Sequence, residues 1–269
     1  MKRIDLIPVK HNIKIGDKCP SILPTISQDC ILYDNNEPIG FFLKRMPDKM
    51  CALANLANNE LLSKRVPKKF NNRMSILKTS HERGITNKEA RQYAVSQFST
   101  ILGGVPCKPM MRRYHHNLSS VHSIKSAQTF VKAMMMLAIE SENLLKEFLP
   151  KQYAKQSSIF ESVDEKWKFG NLFTSSISNY NIAASYHKDN LNIAGCVNVI
   201  ITKRKDSTGG NVNVPDYNAT FDQVDNSILV YPAWRNIHGV TPITPKAKDG
   251  YRNSLVFYPL KAFTNVEKQ

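Results

Sequence analysis

The chain is 269 residues long, 42% hydrophobic and 22% charged, ordinary globular values that exclude a disordered or fibrous protein. Lys and Arg total 37 against 22 Asp and Glu, a formal net charge of +15, which points to a polyanionic partner: nucleic acid first, an anionic membrane surface second. The length suits one domain spanning residues 1–269, because β-rich folds of this size are routinely single units.

The opening segment, MKRIDLIPVKHNIK, breaks its apolar residues with Asp5, Pro8 and Lys10, so it lacks the apolar stretch of a secretory signal. The longest purely apolar run, Ala133 to Ile139, is far short of the ~20 residues a membrane span needs. An intracellular chain with no membrane contact is the expectation. Cys19, Cys30, Cys51, Cys107 and Cys196 are odd in number and form no C-x-x-C pair, so they read as free, mostly buried thiols.

Residues 1–120 hold 20 Lys and Arg against 9 Asp and Glu, a net +11; residues 121–269 hold 17 against 13, a net +4. The basic residues concentrate in Lys64 to Lys78 and around Arg112 and Arg113. A charge run is ordinarily a solvated face. The asymmetry nevertheless makes Lys64, Arg65, Lys68, Lys69, Arg73, Arg112 and Arg113 candidates for contacts to a nucleic-acid backbone.

Helical patterning predicts a mostly helical first 120 residues, with helices over Cys51–Ser63 and Asn87–Phe98. A long helix follows over Ser126–Phe148, within a segment from about 121 to 150, where Phe130, Met134, Leu137, Ala138, Leu144, Leu145 and Phe148 recur at helical spacing and Pro150 ends the run. Met134, Met135 and Met136 read as core filling on it. From about 170 to 262 the pattern changes to short strands: Phe173–Tyr180, Gly195–Thr202, Gly210–Val214, Ser227–Tyr231 and Ser254–Tyr258, bounded by Gly, Asp, Asn or Pro. The expected fold is α+β, a sandwich or jelly roll with the N-terminal helices packed on its outside.

His187 and Asp189 form a His-x-Asp pair, and residues i and i+2 of a strand share a face, so both can reach one ion. Alone the pair is weak, because about 0.3 such pairs are expected by chance at this composition. His238 lies 49 positions after Asp189, Arg252 follows 14 later, and Ser254 shares a strand face with Arg252. Two His and one carboxylate make the facial triad of non-haem Fe(II), and a guanidinium fork suits the distal carboxylate of 2-oxoglutarate. Zinc hydrolysis competes for the same three ligands but has no evident use for the Arg.

The order His187-x-Asp189, Gly209-Gly210-Asn211-Val212 with Pro215, Asn226 to Val230, His238-Gly239-Val240-Thr241-Pro242 and Tyr251 to Tyr258 resembles the TET/JBP group of 2-oxoglutarate/Fe(II) dioxygenases. Phe173 to Asn181 and Gly103-Gly104-Val105-Pro106 extend the resemblance to about residues 100–262. It implies a double-stranded β-helix (jelly-roll, cupin-like) core and an enzyme using Fe(II), 2-oxoglutarate and O₂ to oxidise the 5-methyl group of a flipped pyrimidine in DNA, 5-methylcytosine first. It further implies that His187, Asp189 and His238 hold iron, that Arg252, Ser254 and Asn179 bind 2-oxoglutarate, and that Asn192, Tyr258 and Asn181 meet the substrate. A monomer is the expectation. Where the family has a His near the base, this chain has Leu260, which leaves 5-methylcytosine and thymine open. An oxygenase acting on RNA, a free nucleotide or protein, and a non-catalytic jelly-roll binding protein, are the alternatives.

Overall fold

The computed structural model describes residues 1–70, 97–107 and 115–264. Its largest element is a ten-stranded sheet. In spatial order it contains β1 (Lys2–Asp5), β2 (Cys30–Asp34), β3 (Glu37–Leu43), β13 (Ile228–Tyr231), β9 (Asn198–Lys205), β16 (Tyr251–Tyr258), β7 (Ser175–Tyr180), β5 (Phe98–Val105) and β4 (Lys69–Phe70), with β6 (Asn117–Leu118) paired to β5. A four-stranded sheet holds β12 (Ala219–Thr220), β11 (Val212–Val214), β14 (His238–Val240) and β8 (Ala184–His187), and β10 (Ser207–Gly209) pairs with β15 (Ile243–Pro245).

Strand alternation divides the interior into two cores, one on each face of the large sheet. Phe41, Val199, Ile201, Ile228, Val230, Leu255 and Phe257 face the helices, whereas Phe42, Ile200, Leu229 and Tyr231 face Val212, Val214, Ala219 and Phe221 of the smaller sheet. Every residue of β13 is therefore buried, which explains the unbroken Ile-Leu-Val-Tyr run there. These two facing sheets are the double-stranded β-helix core, so the expected α+β jelly roll with helices outside it is present.

The helical layer contains α1 (Asp48–Leu62), α2 (Gln128–Phe148) and α3 (Pro150–Phe160). Met50, Ala54, Ala57 and Leu61 recur at helical spacing on the buried face of α1, and Asp48 places a negative charge in its first turn. Phe148, at the end of α2, meets Phe41 edge to face with ring centroids 5.2 Å apart. No helix among the described residues is long and apolar enough to cross a membrane. Cys19, Cys30, Cys51 and Cys196 are buried free thiols, and Cys107 is an exposed one.

Several expectations require correction. The first 120 residues are not mostly helical where they are described: β1, β2, β3 and β5 all join the large sheet, and α1 is the one α-helix among the described residues there. Most of the helix expected over Asn87–Phe98 lies outside the described residues, and Phe98 itself begins β5. Pro150 does end α2, but it also occupies the first turn of α3, where its missing N–H costs nothing. Met134 is core, whereas Met135 and Met136 are exposed on the outer side of α2.

Candidate active site

A cavity of about 680 Å³ opens between the two sheets, large enough for a cofactor and a base-sized substrate together. His187 ends β8 and His238 begins β14, and the antiparallel register pairs them directly, so their rings lie 4.3 Å apart between centroids. Asp189 is not on the strand with His187, as the i, i+2 argument assumed. It lies in the following loop, held by its backbone N–H donating to the Ala233 carbonyl at 3.1 Å. Its Oδ1 is 3.6 Å from His187 Nε2 and 4.0 Å from His238 Nε2. One ligand atom from each of the three residues lies within 4.8 Å of the others.

The surrounding hydrogen bonds favour metal binding. His187 Nδ1 lies 2.7 Å from the Ser185 carbonyl, and His238 Nδ1 lies 3.2 Å from the Asn236 carbonyl. With Nδ1–H donated to a carbonyl, each ring keeps a lone pair on Nε2, on the side facing Asp189. The second oxygen of Asp189 accepts from Asn198 Nδ2 at 2.8 Å and from Asn192 Nδ2 at 3.3 Å, leaving Oδ1 directed at the imidazoles. Burial, and then the neighbouring His187, lower the pKa of His238, which favours the neutral imidazole a metal requires.

Arg252, on β16, also lines the cavity and is 2% exposed. Its Nη2 donates to Gln223 Oε1 at 2.8 Å, while its Nε has no partner among the described residues. Burial, and then the charge of Arg204, push its pKa down to about 9. A buried cation with an unused donor and no carboxylate within ion-pair distance among the described residues could receive an anion. Gly210, at φ +67°, permits this placement, because a Cβ there would approach Arg252 Cδ to 3.1 Å. Ser254 lies two residues along the same face, in register with Asn179 of β7, and both line the cavity.

The other expected site residues divide. Tyr258 lines the cavity with its phenol pKa raised, first by burial and then by the charge of Asp189. Leu260 forms an apolar part of the wall. Asn192 lines it too, but its amide nitrogen is committed to Asn198 Oδ1 at 2.9 Å and to Asp189, so it braces a metal-ligand candidate rather than offering that donor to a base. Asn181 is absent from the cavity wall. At φ 54° it follows β7 directly, and its Oδ1 accepts from the Arg252 backbone N–H at 2.9 Å.

The basic candidates are dispersed. Arg65 forms a two-bond pair with Glu60 at 2.8 and 2.5 Å, and Lys68 donates to the Leu62 and Ser63 carbonyls at the end of α1. Lys64 is exposed. Lys69 opposes Ser99 in β5, Ser99 opposes Asn179, and Asn179 opposes Ser254, so Lys69 stands on the sheet edge in the row that leads into the cavity. Arg73, Arg112 and Arg113 lie outside the described residues. Lys188, inside the His-x-Asp motif, is a cavity-lining cation that the charge-run reading passed over. Asn198 and Gln223 were also missed, because neither lies in a motif and each acts through a tertiary contact.

The family model described as the oxygenase domain of the 2OGFeDO superfamily, Tet_JBP, matches residues 104–261. Among solved structures, NgTET1 in complex with 5mC DNA superposes with a TM-score of 0.58 at 15% identity, covering 94% of this chain and 84% of that one, a likeness of fold. A 2OG-Fe(II) oxygenase family oxidoreductase from Burkholderia pseudomallei aligns at a TM-score of 0.36 and 13% identity over 70% of this chain and 90% of that one. No curated protein matches the chain by sequence.

Proposed function

The chain belongs to the Tet/JBP family of 2-oxoglutarate- and Fe(II)-dependent oxygenases, and from that premise we propose that it oxidises the 5-methyl group of a pyrimidine in DNA, 5-methylcytosine first. As a family member it is a dioxygenase that uses Fe(II), 2-oxoglutarate and O₂. In this reading His187, Asp189 and His238 hold the iron, and Arg252 with Ser254 and Asn179 receives the distal carboxylate of 2-oxoglutarate. The observation that carries it is the pairing of a His-Asp-His cluster with a buried, anion-seeking Arg252 in one cavity.

Iron held by His187, Asp189 and His238 would supply the oxidative chemistry of the family, in which decarboxylation of 2-oxoglutarate to succinate and CO₂ takes one oxygen atom of O₂ and a substrate C–H bond receives the other. The protein supplies orientation. Asn198 and Asn192 fix the Asp189 carboxylate, the Ser185 and Asn236 carbonyls fix the two rings, and the apolar wall of Val212, Val240, Val256 and Leu260 excludes water.

A methyl group inside a duplex cannot reach a cavity between two sheets, so the base must be extruded. Tyr258 offers an aromatic face for it, and Lys188 in the cavity wall and Lys69 on the sheet edge offer charge for the backbone. The net charge of +15, and a similarly folded protein solved with 5mC DNA, support DNA as the partner. Thymine is the second reading, favoured by Leu260, an apolar side chain in the cavity wall where the resemblance places a His near the base.

Succinate release with Fe(II) and 2-oxoglutarate tests the proposal. Methylated duplex DNA should stimulate it well above unmethylated DNA, RNA or free 5-methyldeoxycytidine. Equal stimulation by RNA or by the nucleoside overturns the assignment to DNA.

A further inference from the structure

Gln223 lies in the turn after β12 and is fully buried. Its backbone N–H donates to the Phe221 carbonyl at 2.9 Å and to Asn211 Oδ1 at 3.2 Å, so both its neighbour in the turn and the residue just before β11 hold it in place. Its side-chain oxygen accepts from Arg252 Nη2 at 2.8 Å. Its Nε2, like Arg252 Nε, is buried with no partner among the described residues. Nearby Arg204 spends its two terminal nitrogens on the Ser207 and Gly209 carbonyls. The corner thus contains donors in excess, and the acceptors that orient the guanidiniums there are neutral.

The neutrality matters more than the hydrogen bond. A Glu in the same place would orient Arg252 equally well, but it would cancel the charge and occupy the fork with an internal carboxylate. Gln supplies the orienting acceptor and leaves the positive charge for a ligand. We propose that Gln223 is a positioning residue that makes the Arg252 corner selective for a 2-oxo acid carrying a second, distal carboxylate. This deepens the reading of Arg252 given above and rests on it.

The test compares 2-oxoglutarate with 2-oxobutyrate, which keeps the 2-oxo acid end and lacks the distal carboxylate. Binding is measured by calorimetry on Mn(II)-loaded protein, so no turnover is needed. Wild-type protein should prefer 2-oxoglutarate by about 10- to 100-fold, the range of a charge-assisted hydrogen bond. Gln223→Glu should reduce that preference at least about 10-fold while the thermal midpoint stays equal or rises, because the new carboxylate pairs with Arg252 internally. Gln223→Met, which removes the acceptor without adding charge, should weaken 2-oxoglutarate and leave 2-oxobutyrate unchanged, and it serves as the test if the Glu variant does not fold. An undiminished preference in either folded variant overturns the role of Gln223. A wild-type protein without preference overturns the reading of Arg252, and this inference with it.

Discussion

Asn198 donates its side-chain amide to Asp189 Oδ2 at 2.8 Å, on the carboxylate oxygen turned away from the two imidazoles. This contact decides which lone pairs of Asp189 remain for a cation. Replacing Asn198 with Leu keeps the branched shape and removes the shorter of the two bonds to Oδ2, leaving the 3.3 Å contact from Asn192, so the carboxylate is held less firmly. Metal affinity should fall about 10- to 100-fold, read as the Mn(II) dissociation constant, with the circular dichroism spectrum unchanged. Unchanged affinity would show that the Asn198 contact does not orient Asp189 for the metal.

Charge at the rim and charge at the end of α1 should behave differently. Lys69 is exposed on the sheet edge in line with Ser99, Asn179 and Ser254, whereas Arg65 is engaged by Glu60. Lys69→Ala should weaken duplex binding and reduce the slope of log K against log salt by about one, the signature of one lost phosphate contact. Arg65→Ala should leave that slope unchanged and lower the thermal midpoint instead. Equal effects of the two on DNA binding would contradict this division.

His122 gives the fold an acid-sensitive point. Its Nε2 accepts the Gly103 N–H at 2.8 Å, and burial lowers its pKa. A proton on Nε2 would destroy the bond, so the folded state binds that proton less readily than the unfolded chain, whose His titrates near ~6.5. Above that pH both states are neutral and the stability is complete. Below it the unfolded chain takes up the proton first, and stability falls with pH. The thermal midpoint should therefore drop between about pH 7 and 5, and His122→Gln, which can accept the same N–H without titrating, should flatten that part of the curve. A variant curve parallel to the wild type would assign the acid sensitivity elsewhere.

The site was more legible in the sequence than the N-terminal half of the fold. His187, Asp189 and His238 could be found because local spacing and one antiparallel pairing bring them together. Arg252 and Ser254 could be found because strand alternation alone puts them on one face. Asn198 and Gln223 act from β9 and from the turn after β12 through tertiary contacts, and only the packed structure reveals what they hold. The β2–β3 hairpin did leave a signal: Asn35 and Asn36 adopt φ of 50° and 65°, the left-handed pair of a tight hairpin turn, between two apolar runs. Helix α3 left less, since Pro-Lys-Gln-Tyr-Ala-Lys-Gln-Ser-Ser is polar and buries little beyond Gln156 and Phe160.

The most direct test of the account is mass spectrometry of nucleosides from DNA containing 5-methylcytosine, after incubation with the protein, Fe(II), 2-oxoglutarate and O₂. The account predicts 5-hydroxymethylcytosine with succinate formed in step, and no oxidised base from His187→Ala or Asp189→Ala proteins that remain folded. It is contradicted if protein that binds iron and 2-oxoglutarate leaves both 5-methylcytosine and thymine unchanged, or if either variant still oxidises the base.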